Sequence, residues 1–135
     1  MEEAQAGLNV IELSPLVLAY VGDAVFELAV RVRLVEAGLV RVGDLHREAV
    51  ARVRASAQAA CLDQLMDRLS EEERDVVRRG RNARSGGVPQ GVSVADYRHS
   101  TALESLLGYL YLKGEETRLE EVLALIWSVG GRTDG

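Results

Sequence analysis

The stretch LAYVGDAVFELAV, Leu18 to Val30, decides the fold. It sits in a longer apolar run, Leu16 to Leu34, whose only polar side chains are Tyr20, Asp23, Glu27, Arg31 and Arg33. At about 100° per residue, Asp23 shares a face with Leu16, Tyr20, Glu27, Val30 and Leu34, while Val17, Val21, Val25, Leu28 and Val32 cover the other side. A helix apolar on nearly every side is normally the central, surrounded one of a domain. Asp23 then projects from a helix with no free polar face. A carboxylate in that position has to be neutralised, hydrogen-bonded or bound to a cation, because burying it unpaired costs several kcal/mol.

Outward from that helix, Ser14-Pro15 gives a start signal, an N-cap hydroxyl followed by proline at the first helical position. The helix is expected to run to about Ala37, where Gly38 supplies a stop. After a short link, Asp44 is placed to cap a second helix of about Leu45 to Leu65, with Leu45, Ala49, Val53, Ala60 and Leu65 inward and Arg47, Arg52 and Arg54 outward. Ser70-Glu71-Glu72-Glu73 reads as a capping box opening a third helix, Glu71 to about Arg79. From Gly80 to Ser93 the sequence GRNARSGGVPQGVS has no helical period and reads as the one long loop, a length more often functional than accidental. A last pair of helices follows, about Thr101 to Leu112 and about Thr117 to Trp127, broken at Lys113-Gly114. Five or six helices with short links imply a compact all-α fold. The reading is a single domain over residues 1–135, with 1–9 and 129–135 as loosely held tails.

Composition agrees with that architecture. A chain of 135 residues can bury one core without staples, and only two prolines and six aromatics among many Ala, Leu, Val and Arg favour helices. The single cysteine, Cys61, cannot form an internal disulfide and points to a reducing cytoplasm; among Ala59, Ala60 and Leu62 it reads as a buried, inert thiol. The acidic start MEEAQAGLNV argues against a secretion signal. The apolar run carries Asp23 and Glu27 and ends in arginines, so it is a core helix and no membrane is expected as a partner. A net charge of -5 argues, as an average, against nucleic acid. That average hides a local basic patch: Arg74, Arg78, Arg79, Arg81 and Arg84, with Arg98 and His99 just beyond the loop.

The second acidic position is Glu104, in STALESLLGYLYL, Ser100 to Leu112, at the edge of a stripe of Leu103, Leu106, Leu107, Leu110 and Tyr111. Gly22 beside Asp23 and Gly108 one turn after Glu104 are two notches where another backbone can approach closely. If the helices cross there, Asp23 and Glu104 converge. Plainer readings exist for each acid. Thr101-x-x-Glu104 fits a capping box, Asp23 could pair with an arginine, and Glu27 is spaced to pair with Arg31. Two carboxylates without a Cys/His cluster point to a hard cation such as Mg²⁺, which takes oxygen ligands and can polarise a phosphodiester and activate water. His46 reads as a surface residue, and no Walker loop, GxSxG, CxxC or HExxH motif occurs. Arg81-Asn82-Ala83-Arg84 offers two guanidiniums and an amide for phosphate and sugar edges. With few aromatics for stacking on single strands, a duplex read by shape and backbone fits better.

These residues resemble a known family. GDAV at Gly22 to Val25, the loop RNARSGGVP, the run YRHSTALE and the later ALESLLGYLYL, in that order and in so short a chain, resemble the nuclease domain of ribonuclease III, over roughly residues 10 to 128. The closer likeness is to its short Mini-III branch, which has no separate double-stranded-RNA-binding domain. The resemblance implies an all-helical homodimer that cuts double-stranded RNA with Mg²⁺ and trims large-subunit (23S) ribosomal RNA precursors, and it leaves room for a ribosomal-protein helper. It implies that Asp23 and Glu104 are the metal-binding, catalytic acids, and it fits Arg81, Asn82, Arg84, Arg98 and His99 as RNA contacts. Ala19 stands where full-length ribonuclease III has a glutamate four residues before the signature aspartate, and Thr101 where it has the aspartate of a late Asp-x-x-Glu. Both departures remove a carboxylate and weigh against a second metal site. They also support a rival reading, a nuclease-fold module that binds RNA or a ribosomal partner without cutting. A purely structural helical dimer leaves the carboxylate in the middle of the first helix unexplained.

Overall fold

The computed structural model describes residues 8–84 and 86–130. Its elements are α1 (Pro15–Glu36), α2 (Val42–Val53), α3 (Ala55–Leu65), α4 (Glu71–Asn82), α5 (Val94–Leu112) and α6 (Glu116–Gly130), with single 3-10 turns at Val10–Glu12 and Met66–Arg68. No strand occurs among the described residues, so the fold is all-α as the sequence implies. None of the described helices is long and apolar enough to cross a membrane. Of the two expected tails, 1–7 and 131–135 lie outside the described residues. Val129 and Gly130 continue α6, and Val10 is buried at the start of the chain.

The start and stop of α1 are as the sequence predicts. Ser14 Oγ accepts from the Leu16 amide at 3.1 Å, Pro15 takes the first helical position, and Gly38, at φ 99°, lets Leu39 N–H return to Leu34 O at 3.2 Å. The surroundings of α1 are not as predicted. It buries one face, Leu18, Ala19, Gly22, Phe26, Val30 and Leu34, and leaves the opposite face in solvent, where Tyr20 is 82% and Leu28 65% exposed. The central helix is α5, in which Leu103, Leu106, Leu107 and Leu110 have no accessible surface. The α1–α5 crossing is the most extensive helix contact in the chain, followed by α4 and α3 on other sides of α5.

Three boundaries also differ. The expected second helix is two, α2 and α3, broken where Arg54 is extended at φ -61° and ψ 152°. Asp44 lies inside α2, paired with Arg47, and does not cap it. Helix α4 continues through Gly80 to Asn82, because Gly80 faces α5: a Cβ there would stand 2.8 Å from Ser105 Oγ and 2.9 Å from Ala102 Cα. Its absence is a packing requirement, and Arg81 and Asn82 are the last turn of a helix instead of loop residues. Helix α5 begins seven residues earlier than predicted, with Ser93 Oγ accepting from the Asp96 amide at 3.0 Å. The predicted box at Ser70 and Glu73 is present in both directions.

Candidate active site

The site is made by the α1–α5 crossing. A Cβ on Gly22 would lie 1.7 Å from the Glu104 carbonyl oxygen, and one on Gly108 would lie 1.9 Å from the Leu18 carbonyl oxygen. No side chain fits in either place, so the two glycines set how closely the helices meet. Asp23 follows Gly22, and Glu104 precedes Gly108 by one turn. The crossing therefore brings the two acids close enough for the charge of Asp23 to act on Glu104.

Their environments differ. Asp23 is exposed, on the open face of α1, contrary to the buried position its apolar neighbours suggest. Tyr20, Leu28 and Val35 on that helix are equally open to water, so periodicity mistook an outward apolar face for a core one. Glu104 is the acid drawn into the interior. Burial pushes its carboxyl up to about 8, and the nearby carboxylates of Asp23 and Glu27 act in the same direction. Against them, the Gln58 amide donates to Glu104 Oε2 at 3.1 Å and favours the ionised form.

The plainer readings of both acids fail. Thr101 is well inside α5 and donates its hydroxyl to Tyr97 O at 3.0 Å, so Glu104 caps no helix. Among the described residues neither Asp23 nor Glu104 forms an ion pair with Arg, Lys or His. Glu27 does pair with Arg31, at 3.0 Å. No three His, Cys, Asp or Glu side chains among the described residues form a ready-made metal cage. The donor set is two carboxylates that no Arg, Lys or His among the described residues neutralises. That fits a hard divalent cation, since Mg²⁺ is commonly held by one or two carboxylates and otherwise keeps its waters.

Gln58 was not singled out by the sequence. The only hint is an amide in the small-residue run Ala55 to Ala60, where a helix packed against its neighbours would otherwise be apolar. It is buried, 3% exposed, and its Nε2 donates both to Glu104 and, at 2.6 Å, to Val53 O at the end of α2. Its Oε1 is the one buried side-chain polar atom without a partner among the described residues, a condition that ordinarily costs about 1–3 kcal/mol.

The basic residues lie on two neighbouring elements. Arg81 and Asn82 are exposed at the end of α4, and Arg84 is exposed just beyond it. On α5, Arg98 is exposed and His99 half-buried, six and five residues before Glu104, or about 9 and 7.5 Å along the axis. Arg78 is paired with Asp75, and Arg74 Nε donates to Met66 O at 3.0 Å. Burial raises the Cys61 thiol above its ordinary range, consistent with an inert cysteine. A cavity of about 240 Å³ lined by Phe26, Val30, Arg33, Cys61 and Trp127 does not include the acidic pair.

With this geometry in view, the chain can be set beside known proteins. The Ribonuclease III domain family matches residues 16–115, a span holding both acids. The Mini-ribonuclease 3 of Symbiobacterium thermophilum is 56% identical over 115 residues, 85% of this chain and 88% of that protein. The Mini-ribonuclease 3 of Thermoanaerobacter sp. (strain X514) is 52% identical over 117 residues, 87% of this chain and 82% of that protein. The crystal structure of protein FN1578 from Fusobacterium nucleatum superposes with a TM-score of 0.77 at 27% identity, covering 87% of this chain and 93% of that one.

Proposed function

The chain belongs to the ribonuclease III family and is an endoribonuclease of that type, and on that premise we propose that it hydrolyses double-stranded RNA with Mg²⁺ held by Asp23 and Glu104. The observation that carries this is the Gly22–Gly108 crossing, which brings two carboxylates within each other's electrostatic reach without a paired cation among the described residues. A Mg²⁺ ion bound there supplies polarisation of the phosphodiester and activation of water for in-line attack. Asp23 and Glu104 fix its position from two helices that cannot slide past one another. Arg81, Asn82, Arg84, Arg98 and His99 contact the phosphate and sugar edges and align the duplex on the acidic pair. Contacts made by cationic side chains to phosphates weaken steeply with salt.

The protein works as a single nuclease domain and as a homodimer in the cytoplasm. The open face of α1, with Tyr20, Leu28, Val32 and Val35 in solvent, is an apolar strip that a second copy would cover. Such a copy would also take Asp23 out of bulk water, where its hold on a cation strengthens. The substrate is a large-subunit (23S) ribosomal RNA precursor, engaged with or without a ribosomal-protein helper. The test is Asp23→Asn, compared with the parent on duplex RNA with and without Mg²⁺. The variant should sediment as a folded dimer and lose at least about 10³-fold in cleavage, the scale of several kcal/mol of charge stabilisation. Parental cutting by the variant would remove the assignment. Binding without any metal-dependent cutting by the parent would favour a non-catalytic module, the reading that Ala19 and Thr101 support.

A further inference from the structure

The conformation of Gln58 is fixed by what it touches. The Val53 carbonyl can only accept, so the amide nitrogen must face it. The alternative amide orientation would set two acceptors against each other at 2.6 Å. The second N–H of the same nitrogen then reaches Glu104 Oε2. Val53 is the last residue of α2, and Arg54 after it is extended with neither glycine nor proline to force a break. Gln58 thus pins the α2–α3 corner to the middle of α5. Its carbonyl oxygen, on the same amide that reaches Glu104, is left over, buried and without a partner among the described residues. A residue serving only as packing in Ala55 to Ala60 would be apolar, and one serving only as a cap would need no reach to Glu104.

We propose that Gln58 is a positioning residue of the acidic site: its N–H holds the Glu104 carboxylate toward Asp23, and its Oε1 accepts a hydrogen bond from a water at that pair. This rests on the metal-dependent reading above and deepens it. Gln58 Nε2 is the hydrogen-bond donor to Glu104 Oε2, and the same nitrogen is anchored on Val53 O, so it fixes the direction of that carboxylate. Gln58 acts at one oxygen and leaves Asp23 in solvent untouched. Metal-site partners of this kind act on affinity, typically by 10–100-fold, through the orientation of the ligand they hold.

The experiment measures binding of Mn²⁺ alone, without RNA, to the parent, Gln58→Leu, Gln58→Met and Asp23→Asn, together with thermal melts in a chelator and Mg²⁺ titrations of duplex cleavage. Leu and Met both approximate the volume of glutamine, and they differ in shape, so a packing fault in one is not shared by the other. The expected result is cooperative melting of both apolar variants, Mn²⁺ binding weakened about tenfold, and cleavage that recovers toward the parental kcat at high Mg²⁺ with an unaltered KM for RNA. A merely structural glutamine would lower the melting temperature in chelator and leave the metal affinity of the folded protein unchanged, and that outcome overturns the proposal. If the parent binds Mn²⁺ and Asp23→Asn does not, while both Gln58 variants bind as the parent does, the metal site stands and the role of Gln58 falls. If the parent itself binds no Mn²⁺, both fall.

Discussion

Glu73 and Glu104 are glutamates drawn into the same interior on helices that pack together, α4 and α5, and they meet opposite company. Glu73 receives Arg118 at 2.8 Å on each carboxylate oxygen and the Ser70 amide at 2.9 Å. Hydrogen bonding to Arg118 leads the causes that hold its carboxyl below the usual range. Glu104 receives one neutral amide and another carboxylate, and burial lifts it to about 8. The first acid is neutralised by the chain itself and closes the α4–α6 end of the fold. The second has no such partner among the described residues. Burial of an acid is therefore uninformative about function until its counter-charge is found.

The largest effect that separates the two is the loss of the internal counter-charge. Glu73→Gln keeps an oxygen for the Ser70 amide, removes the ion pair and sets an NH2 where Arg118 Nε donates. It should cost roughly 3 kcal/mol at pH 7, at the low end for a buried pair because 26% of the Arg118 side chain remains in solvent. A folded-state pKa below the ordinary 4.5 contributes stability that is present above 4.5 and lost as pH falls through the folded value. The cost of the substitution should then shrink in acid. Denaturant unfolding at pH 7 and pH 3 checks this, and an equal cost at both would mean that the guanidinium contributes packing alone.

The positions of these acids were partly legible. Ser70-x-x-Glu73 announced its box, and the two glycines announced a crossing that puts Asp23 against Glu104, since close backbone approach leaves a local trace in the sequence. What could not be read depends on partners distant in the chain. Arg118, forty-five residues away, turns the capping glutamate into a buried ion pair. Gly80 looks like a helix stop and is a contact surface for Ala102 and Ser105, so local pattern puts Arg81 and Asn82 in a loop where the fold makes them helix. The break at Arg54 has no local breaker and is tied from Gln58. Tyr20, Leu28 and Val35 carry the same apolar character as the core, and nothing within α1 tells an outward apolar face from an inward one.

Glu104 should behave in the opposite sense to Glu73. Its raised folded-state pKa means that the favourable protonated form contributes fully below 4.5, and that this contribution is lost as pH rises through about 8. In chelator, Glu104→Gln retains an acceptor for Gln58 and removes the repulsion from Asp23. The variant should be more stable than the parent by roughly 2 kcal/mol at pH 9, about half of what 1.4 kcal/mol per pKa unit would give undiminished, because water reaches the Asp23 side of the pair. The gap should close near pH 4. Destabilisation at pH 9 would show that the Glu104 charge is already compensated within the chain, and the contrast with Glu73 would disappear.

The smallest effect is the most specific. A ligand that binds only the folded chain stabilises it by about 1.4 kcal/mol at ten times its Kd, on the order of 5 °C for a chain of this size. Mg²⁺ should raise the melting temperature of the parent and of Glu73→Gln alike, because the Arg118 pair takes no part in holding it. Asp23→Asn should lose the increment. Binding requires Glu104 ionised, and below about 8 the metal-free carboxyl is largely protonated, so the ion must displace a proton. The increment at fixed Mg²⁺ should consequently grow between pH 6 and pH 9, while a nonspecific salt effect would follow ionic strength and ignore both pH and Asp23. Equal increments in the parent and in Asp23→Asn would place the stabilising cation somewhere other than the crossing of α1 and α5.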